Sequence, residues 1–441
     1  MQKYKLKNIS IKLTTLLCVV ALASFGCGSG GGTAAAPVTI KFWKTFADSS
    51  EMQGMISAYQ QLHPNVTIEY TKKNCTDATC TEYQADVLNA LASGDGPDIF
   101  SIHNSWLPQY QDKLTPAPDK SFTLRNFKDT FVDTVVQDFT KDEKIYGTAL
   151  SVDSLGLYYN KDLLGSAGLA TPPKTWDELA RYSRVLKQTD KKTGYIKRSG
   201  VAIGTSANVY RAQDIIYLLM LQKGVVPWSQ DHLNPSFADA QSRGVEFYNP
   251  GVEAFQFYTS FARPGNDNYN WNVQSDQSLD AFVNGRAAFV YGYAFNRDTI
   301  VQKNPNLNFD VTDVPQPNLD DPAVNFANYW GEVVSKQSKN ANWAWDFLKF
   351  ISSKDQLDKY YATIKLPSSR KDLIDVQIKD PELGVFAHAN LTAKPFFRPD
   401  EAKMDAIIRA AIDSVILRGS TPEDALHEAQ QQAAALVRQS F

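Results

Sequence analysis

The segment Asn74-Cys75-Thr76-Asp77-Ala78-Thr79-Cys80 places two thiols in a polar loop with four residues between them. Thiols at that spacing either close a small disulfide loop or supply half of a metal site, and a closed zinc site needs about four ligands. The five His residues, at 63, 103, 232, 388 and 427, are scattered without ligand spacing. A Cys75–Cys80 disulfide is therefore expected, no metal is expected, and an exported compartment would permit the oxidation. Beyond the N-terminal export segment the chain has no Gly-x-Ser-x-Gly elbow, no Gly-x-x-x-x-Gly-Lys phosphate loop and no His-Glu-x-x-His pair. Gly94-x-Gly96 is a fragment of a dinucleotide fingerprint in reversed context, after a helix and before a strand. Carboxylates are plentiful, but abundance does not make the flanking pair of a glycosidase. No enzyme chemistry and no cofactor are expected, which leaves non-covalent binding.

The elements around these residues alternate as β and α. Val38, Ile40 and Phe42 alternate as a strand, Asp48-Ser49-Ser50 offers capping oxygens, and Met52, Met55, Ile56, Tyr59 and Leu62 recur at helical spacing until Pro64. Val66, Ile68 and Tyr70 restore alternation, so the opening is β-α-β. Tyr83, Val87, Leu88 and Leu91 form another amphipathic helix, ended by Ser93-Gly94-Asp95-Gly96-Pro97 before a short strand Asp98-Ile99-Phe100. Thr175 and Glu178 form a capping box for a helix through about Lys187, with Glu178 reaching back to the Thr175 amide. Asp280 to Asn284 reads as a helix, Gly285 as its left-handed stop, and Ala287 to Tyr291 as a buried strand. A helix over Ala341 to Ser353 carries Trp343, Ala344, Phe347, Leu348 and Ile351 on one face, and Thr421-Pro422-Glu423-Asp424 opens a last helix.

Length and charge narrow the class. At 441 residues the chain has material for two or three domains. A net charge of -3, from 45 Lys and Arg against 48 Asp and Glu, offers no field for a polyphosphate, so nucleic acid is not an expected partner. No apolar run reaches the roughly 18 residues of a membrane span. The 8 Trp, 20 Tyr and 24 Phe make 12% of the chain, a somewhat rich aromatic supply. Lys3, Lys5, Lys7 and Lys12 precede an apolar run from Leu13 to Phe25, the layout of a secretory signal over residues 1-26. Cys27 follows, then Gly28 to Ala36, a flexible tether over 27-36. The cysteine between signal and tether resembles a bacterial lipobox. Gly26 fits that pattern, while Ser24 and Phe25 depart from it. The resemblance implies lipid attachment at Cys27 and a protein held at a bacterial membrane, on the cell surface or in the periplasm.

Five segments in order carry a wider resemblance: Ile40-Lys41-Phe42-Trp43; Ala92 to Ile99; Leu157 to Leu164 with Pro172 to Leu179; Ala281 to Ala288; and Tyr329 to Ser335. From about residue 37 to the C-terminus the chain resembles extracellular solute-binding protein family 1. This is the carbohydrate-type group of ABC-importer substrate-binding lipoproteins that includes maltose-binding protein. The resemblance implies an α/β, two-lobed, periplasmic-binding-protein type II-like fold with a hinge and an interlobe ligand cleft. Its first lobe would be 37-150 plus 316-364, and its second 151-315 plus 365-441. Independently, ligands of open α/β sheets sit beyond the carboxyl ends of strands and between domains.

In relatives, two loops leaving the first lobe's strands face the cleft. Here they offer Lys44, Thr45 and Asp48 after the first strand, and Ser101, His103, Asn104 and Trp106 after Phe100. Asp48 suits a helix N-cap equally well. Asp153 stands where maltose-binding protein has a sugar-contacting carboxylate, and an ionised carboxylate accepting hydroxyls makes charge-assisted bonds. Tyr293 or Phe295 follows the strand after which relatives place a stacking aromatic. Trp330-Gly331 holds the matching position on the other lobe, and Arg370, Phe396, Phe397 and Arg398 are further candidates. Trp228 and Trp271 lie in polar loops that could also reach a cleft. A pyranose presents C–H groups on its face and hydroxyls at its edge, so flat aromatics with polar neighbours suit it. The function implied is capture of a carbohydrate, an oligosaccharide, by a monomer that delivers it to the permease subunits of an ABC importer. The alternatives are the same fold holding a polyol phosphate, peptide or metal complex, or a surface sensor or adhesin.

Overall fold

The computed structural model describes residues 36–75 and 80–440. The expected signal, Cys27 and almost all of the tether lie outside them. In the strand Val38–Lys44, alternation buries Ile40 and Phe42 and turns Lys41 outward. It pairs in parallel with Val66–Lys72, Val38 opposite Val66, and on its other side with Ile99–His103. Parallel neighbours need crossovers, and the helices Ser49–Leu62 and Thr81–Ser93 supply them, burying Met52, Met55, Ile56 and Tyr59 from one and Tyr83, Val87 and Leu91 from the other. The sheet continues through two antiparallel steps, to Trp330–Val334 and then Gly147–Thr148. A segment from late in the chain thus returns into the first sheet, with Trp330 opposite His103.

A second five-stranded sheet runs in the order Phe309–Thr312, Gly156–Asn160, Ala287–Gly292, Ile196–Val201, Gln188–Thr189. Every side chain of Ala287–Gly292 is buried, as an unbroken apolar run requires of a central strand. Gly285, at φ +69°, ends the helix Ser278–Val283 just before it. The helix Trp176–Leu186 starts where Thr175 Oγ1 accepts from the Glu178 amide at 3.2 Å. Glu178 reaches past Thr175 to the Lys174 amide at 2.8 Å, where a bridge between Thr175 and Gln316 holds the segment extended. On the helix Ala341–Ile351 the deeply buried indole is Trp345, which donates to the Thr115 carbonyl at 3.0 Å; Trp343 is half-buried beside the His63 ring.

Each sheet has its own hydrophobic cluster. One gathers Ile40 through Val152 and Ala327 through Ile374; the other gathers Leu155 through Phe326 and Leu383 through Val437, with Ala387 and Ala393 packing on the first. The chain passes between cores in segments that lie side by side. Ser151 bridges Ser368, Ser154 bridges Ala327, and the Asn328 amide donates to the Asp153 carbonyl at 2.9 Å. Buried Asn390 pins these crossings, donating to the carbonyls of Val152 (2.7 Å) and Ser368 (3.1 Å) and accepting from Ser154 Oγ at 2.6 Å. Replacing one partner strands the others in the interior, which costs more than a hydrogen bond contributes. Asn390→Leu is expected to lower unfolding free energy by roughly 3 kcal/mol in urea titration; a loss under about 0.5 kcal/mol, the ordinary scatter of surface substitutions, would show that the pin is unimportant.

Candidate ligand-binding site

A cleft of about 560 Å³ opens where the carboxyl ends of strands from both sheets face the crossing segments. That volume lies within the range of small-molecule sites, roughly 300–1,000 Å³. Its walls include Lys44, Thr45, His103, Asp153, Tyr293, Phe295 and Trp330. Lys44 ends the first strand with Thr45 just after it, and His103 ends its parallel neighbour. Trp330 begins the return strand, and Asp153 sits in the first crossing segment.

The chemistry of each wall residue follows from its partners. Lys44 donates to Glu332, which is fully buried, so the ammonium enters the cleft already neutralised. Both Asp153 oxygens lie 3.0 Å from the Ala294 amide, so this carboxylate fixes the turn that carries Phe295. No cation pairs with it in the described structure, and burial pushes its pKa up to about 7. The Tyr293 hydroxyl is spent on Asp214 at 2.7 Å; its ring backs Phe295, nearly parallel at 5.9 Å, and Phe295 is the outer, half-exposed member. His103 Nδ1 accepts from the Ser105 amide at 3.2 Å, which leaves the proton on Nε2 to donate to Asn328 Oδ1 at 3.1 Å. Burial holds this imidazole well below its usual pKa, so its 3.3 Å contact with Glu401 is not an ion pair.

The other candidates sit behind these walls or outside them. Trp106 is buried, stacked on Tyr110 and set edge-on to Trp330 at 4.9 Å, where it braces that indole. The Ser101 carbonyl accepts from Tyr83 at 2.7 Å, and Asn104 donates to Asp138 at 2.9 Å. Gly331 is buried, and a Cβ there would lie 2.3 Å from the Phe139 ring. Asp48 caps the helix Ser49–Leu62 and pairs with Lys72 at 2.6 Å. Arg370 is bound to Asp372 at 2.8 Å and to the Ser352 carbonyl at 3.0 Å. Trp228 and Trp271 are core residues of the second cluster, as is Phe396, with Phe397 packed against it.

Sequence reasoning missed Phe46, Tyr210, Arg211 and Asn328, all on the wall. Phe46 lies in the loop between Thr45 and Asp48, where no periodicity marks an aromatic. Tyr210 and Arg211 follow the strand Ile196–Val201, whose weak alternation hid it, and Asn328 sits two residues before Trp330. Arg211 Nε meets Asp214 at 2.6 Å, so this cation, too, arrives neutralised. Below it lies a buried cluster in which Arg398 contacts Glu401 at 3.1 Å and Asp405 at 3.8 Å.

Residues 54–385 match the family described as bacterial extracellular solute-binding protein. The chain belongs to that family. This solute-binding protein is 24% identical over 355 residues to a binding protein of Brucella abortus, covering 79% of this chain and 81% of that one. It is 22% identical over 440 residues to a galactooligosaccharide-binding protein of Bacillus subtilis, covering 96% of both chains. Among solved structures, the cyclic alpha-maltosyl-1,6-maltose binding protein of Arthrobacter globiformis superposes with a TM-score of 0.74 at 19% identity, over 92% of this chain and 100% of that one. The shared fold is the two-lobed one of that neighbour.

Three buried carboxyls give the solute-binding protein a pH signature. Burial raises Asp153 from 3.8 to about 7, and Asp138 and Asp405 to about 6. Between 3.8 and those values the native state holds protons that the unfolded chain has released, so stability contributed by these groups is full below pH 3.8 and is lost as pH rises to about 7. Asp153→Asn keeps an acceptor for the Ala294 amide and removes one titration. Its unfolding free energy is expected to fall less steeply from pH 4 to 7 than that of the unaltered protein; equal slopes in urea titrations would refute the assignment.

Proposed function

We propose that this protein is the substrate-binding component of an ABC importer, capturing an oligosaccharide in the cleft by closure of its lobes and delivering it to the membrane permease. The observation that carries this reading is the wall itself. Aromatic surfaces from both sides, Trp330 packed on one core and Phe295 stacked on Tyr293 of the other, meet in one cleft beside the Asp153 carboxyl. Faces for sugar C–H groups and acceptors for hydroxyls are what a glycan requires. Both cations on the wall are neutralised by Glu332 and Asp214, which disfavours a phosphate ligand. Relatives named for multiple sugars in Streptococcus mutans and for galactooligosaccharides in Bacillus subtilis point the same way.

In this reading the lobes are 37-150 plus 316-364 and 151-315 plus 365-441, with the helix Lys371–Gln377 counted in the first because Leu373 and Ile374 pack there, and Phe326 counted in the second, whose cluster it joins. Contacts from both lobes favour the closed state differentially, so an importer can tell loaded from empty protein. No bond is made or broken. A lipid on Cys27 would hold the monomer at the membrane.

Thermal unfolding against mono- and oligosaccharides, polyol phosphates and peptides tests the reading. At about 100 times the dissociation constant a ligand adds roughly 2.7 kcal/mol. One glycan class should raise the melting temperature, and Trp330→Ala or Asp153→Ala should abolish the rise. A rise with a phosphate or peptide and none with any sugar would overturn it.

A further inference from the structure

Phe46 is placed against two costs at once. Its φ is +59°, a region in which a bulky side chain is a genuine outlier. Its apolar ring is 62% exposed. Glycine would remove both penalties, yet the chain holds Phe here and fixes the backbone on either side. The Lys44 carbonyl accepts from the Lys73 amide at 2.8 Å, and the Ala47 carbonyl accepts from the Tyr70 hydroxyl at 2.6 Å. The Asp48 amide donates to the Glu51 carboxylate at 2.6 Å. Strained conformations persist where the surroundings over-determine them, and they concentrate at ligand clamps.

That conformation puts the ring on the cleft wall. Phe46 lines the cavity edge-on to Trp330, centroids 5.5 Å apart, and the Cys75–Cys80 disulfide lines the same cavity. Trp330 is braced from behind by Trp106 and Tyr83, so Phe46 is the outermost member of a rigid aromatic stack. Adjacent Thr45 is buried, and its Oγ1 has no hydrogen-bond partner among the described residues although it borders the cleft.

We propose that Phe46, Trp330 and the Cys75–Cys80 disulfide form an apolar subsite on the first lobe that takes the C–H face of a sugar ring, while Thr45 receives a hydroxyl at the ring's edge. The inference rests on the carbohydrate reading above and deepens it. Polarizable sulfur and aromatic surfaces suit a C–H face, and one short loop then supplies both face and edge contacts.

Isothermal titration of the purified protein with maltotetraose, mannotriose and a galactotriose, paired with unliganded melting curves, tests this. Phe46→Gly relieves the backbone and removes the ring. It is expected to melt higher than the unaltered protein yet bind the best of these glycans on the order of tenfold more weakly, the factor that about 1.4 kcal/mol of lost contact gives. Phe46→Tyr, which restores a ring, should bind within about twofold of the unaltered protein. A Phe46→Gly variant that melts higher and binds the glycan undiminished would overturn the subsite and leave the carbohydrate reading standing. One that melts lower would show the ring to be a packing residue and also overturn it. If the unaltered protein binds none of the three glycans but does bind a polyol phosphate or a peptide, the carbohydrate reading fails, and the subsite fails with it.

Discussion

Two hydrophobic clusters, each closed around its own sheet, cannot merge while the chain passes between them in short adjacent segments. Everything at the site depends on that separation. The crossings at Ser151 and Ser154 bridge their partners at Ser368 and Ala327, so polar backbone running between the cores finds hydrogen-bond partners in the neighbouring segment. What remains between the clusters is a cavity whose walls come from both. A solute that fits it touches two bodies joined by a few strands, the geometry in which binding and closure are one equilibrium.

The wall chemistry follows from how each core ends. Where strands of the first sheet run out, Lys44 is paired with buried Glu332 and His103 with half-buried Asn328, and they lose the freedom to act as an open charge or as a titrating base. A buried ion pair such as Lys44 with Glu332 is weak evidence for stability, because desolvation offsets the attraction. Its consequence here is a cleft with donors but little uncompensated positive charge. Aromatic rings then supply most of the contact surface. The second core repeats the pattern, with Asp153 fixing the Phe295 turn and Asp214 fixing both Tyr293 and Arg211.

Much of this was legible in the sequence where one local rule sufficed. Alternation at Val38 to Phe42, the Thr175 cap and the Gly285 stop describe elements within a residue or two of their observed ends. The segments at the carboxyl ends of the first and third strands led to Lys44, Thr45 and His103. Contacts across sequence distance were not legible. That Asn104 turns away to Asp138, or that Arg370 donates to the Ser352 carbonyl, depends on helices whose docking no spacing rule encodes. Phe46 carries no sequence mark of its left-handed backbone, which sits beside neighbours held by Tyr70, at the Ala47 carbonyl, and by Glu51, at the Asp48 amide. Arg211, also at positive φ, follows the strand Ile196–Val201, whose run Ser199-Gly200-Val201 is buried throughout, so that alternation fails as a signal.

The central claim is that one ligand held by both lobes closes the cleft between them. Small-angle X-ray scattering of the protein, with and without a saturating glycan, measures this most directly. The account predicts a smaller radius of gyration in the presence of a glycan that binds, and no change with one that does not. A glycan that binds tightly while the scattering curve stays the same would place the ligand on a single lobe and contradict the account.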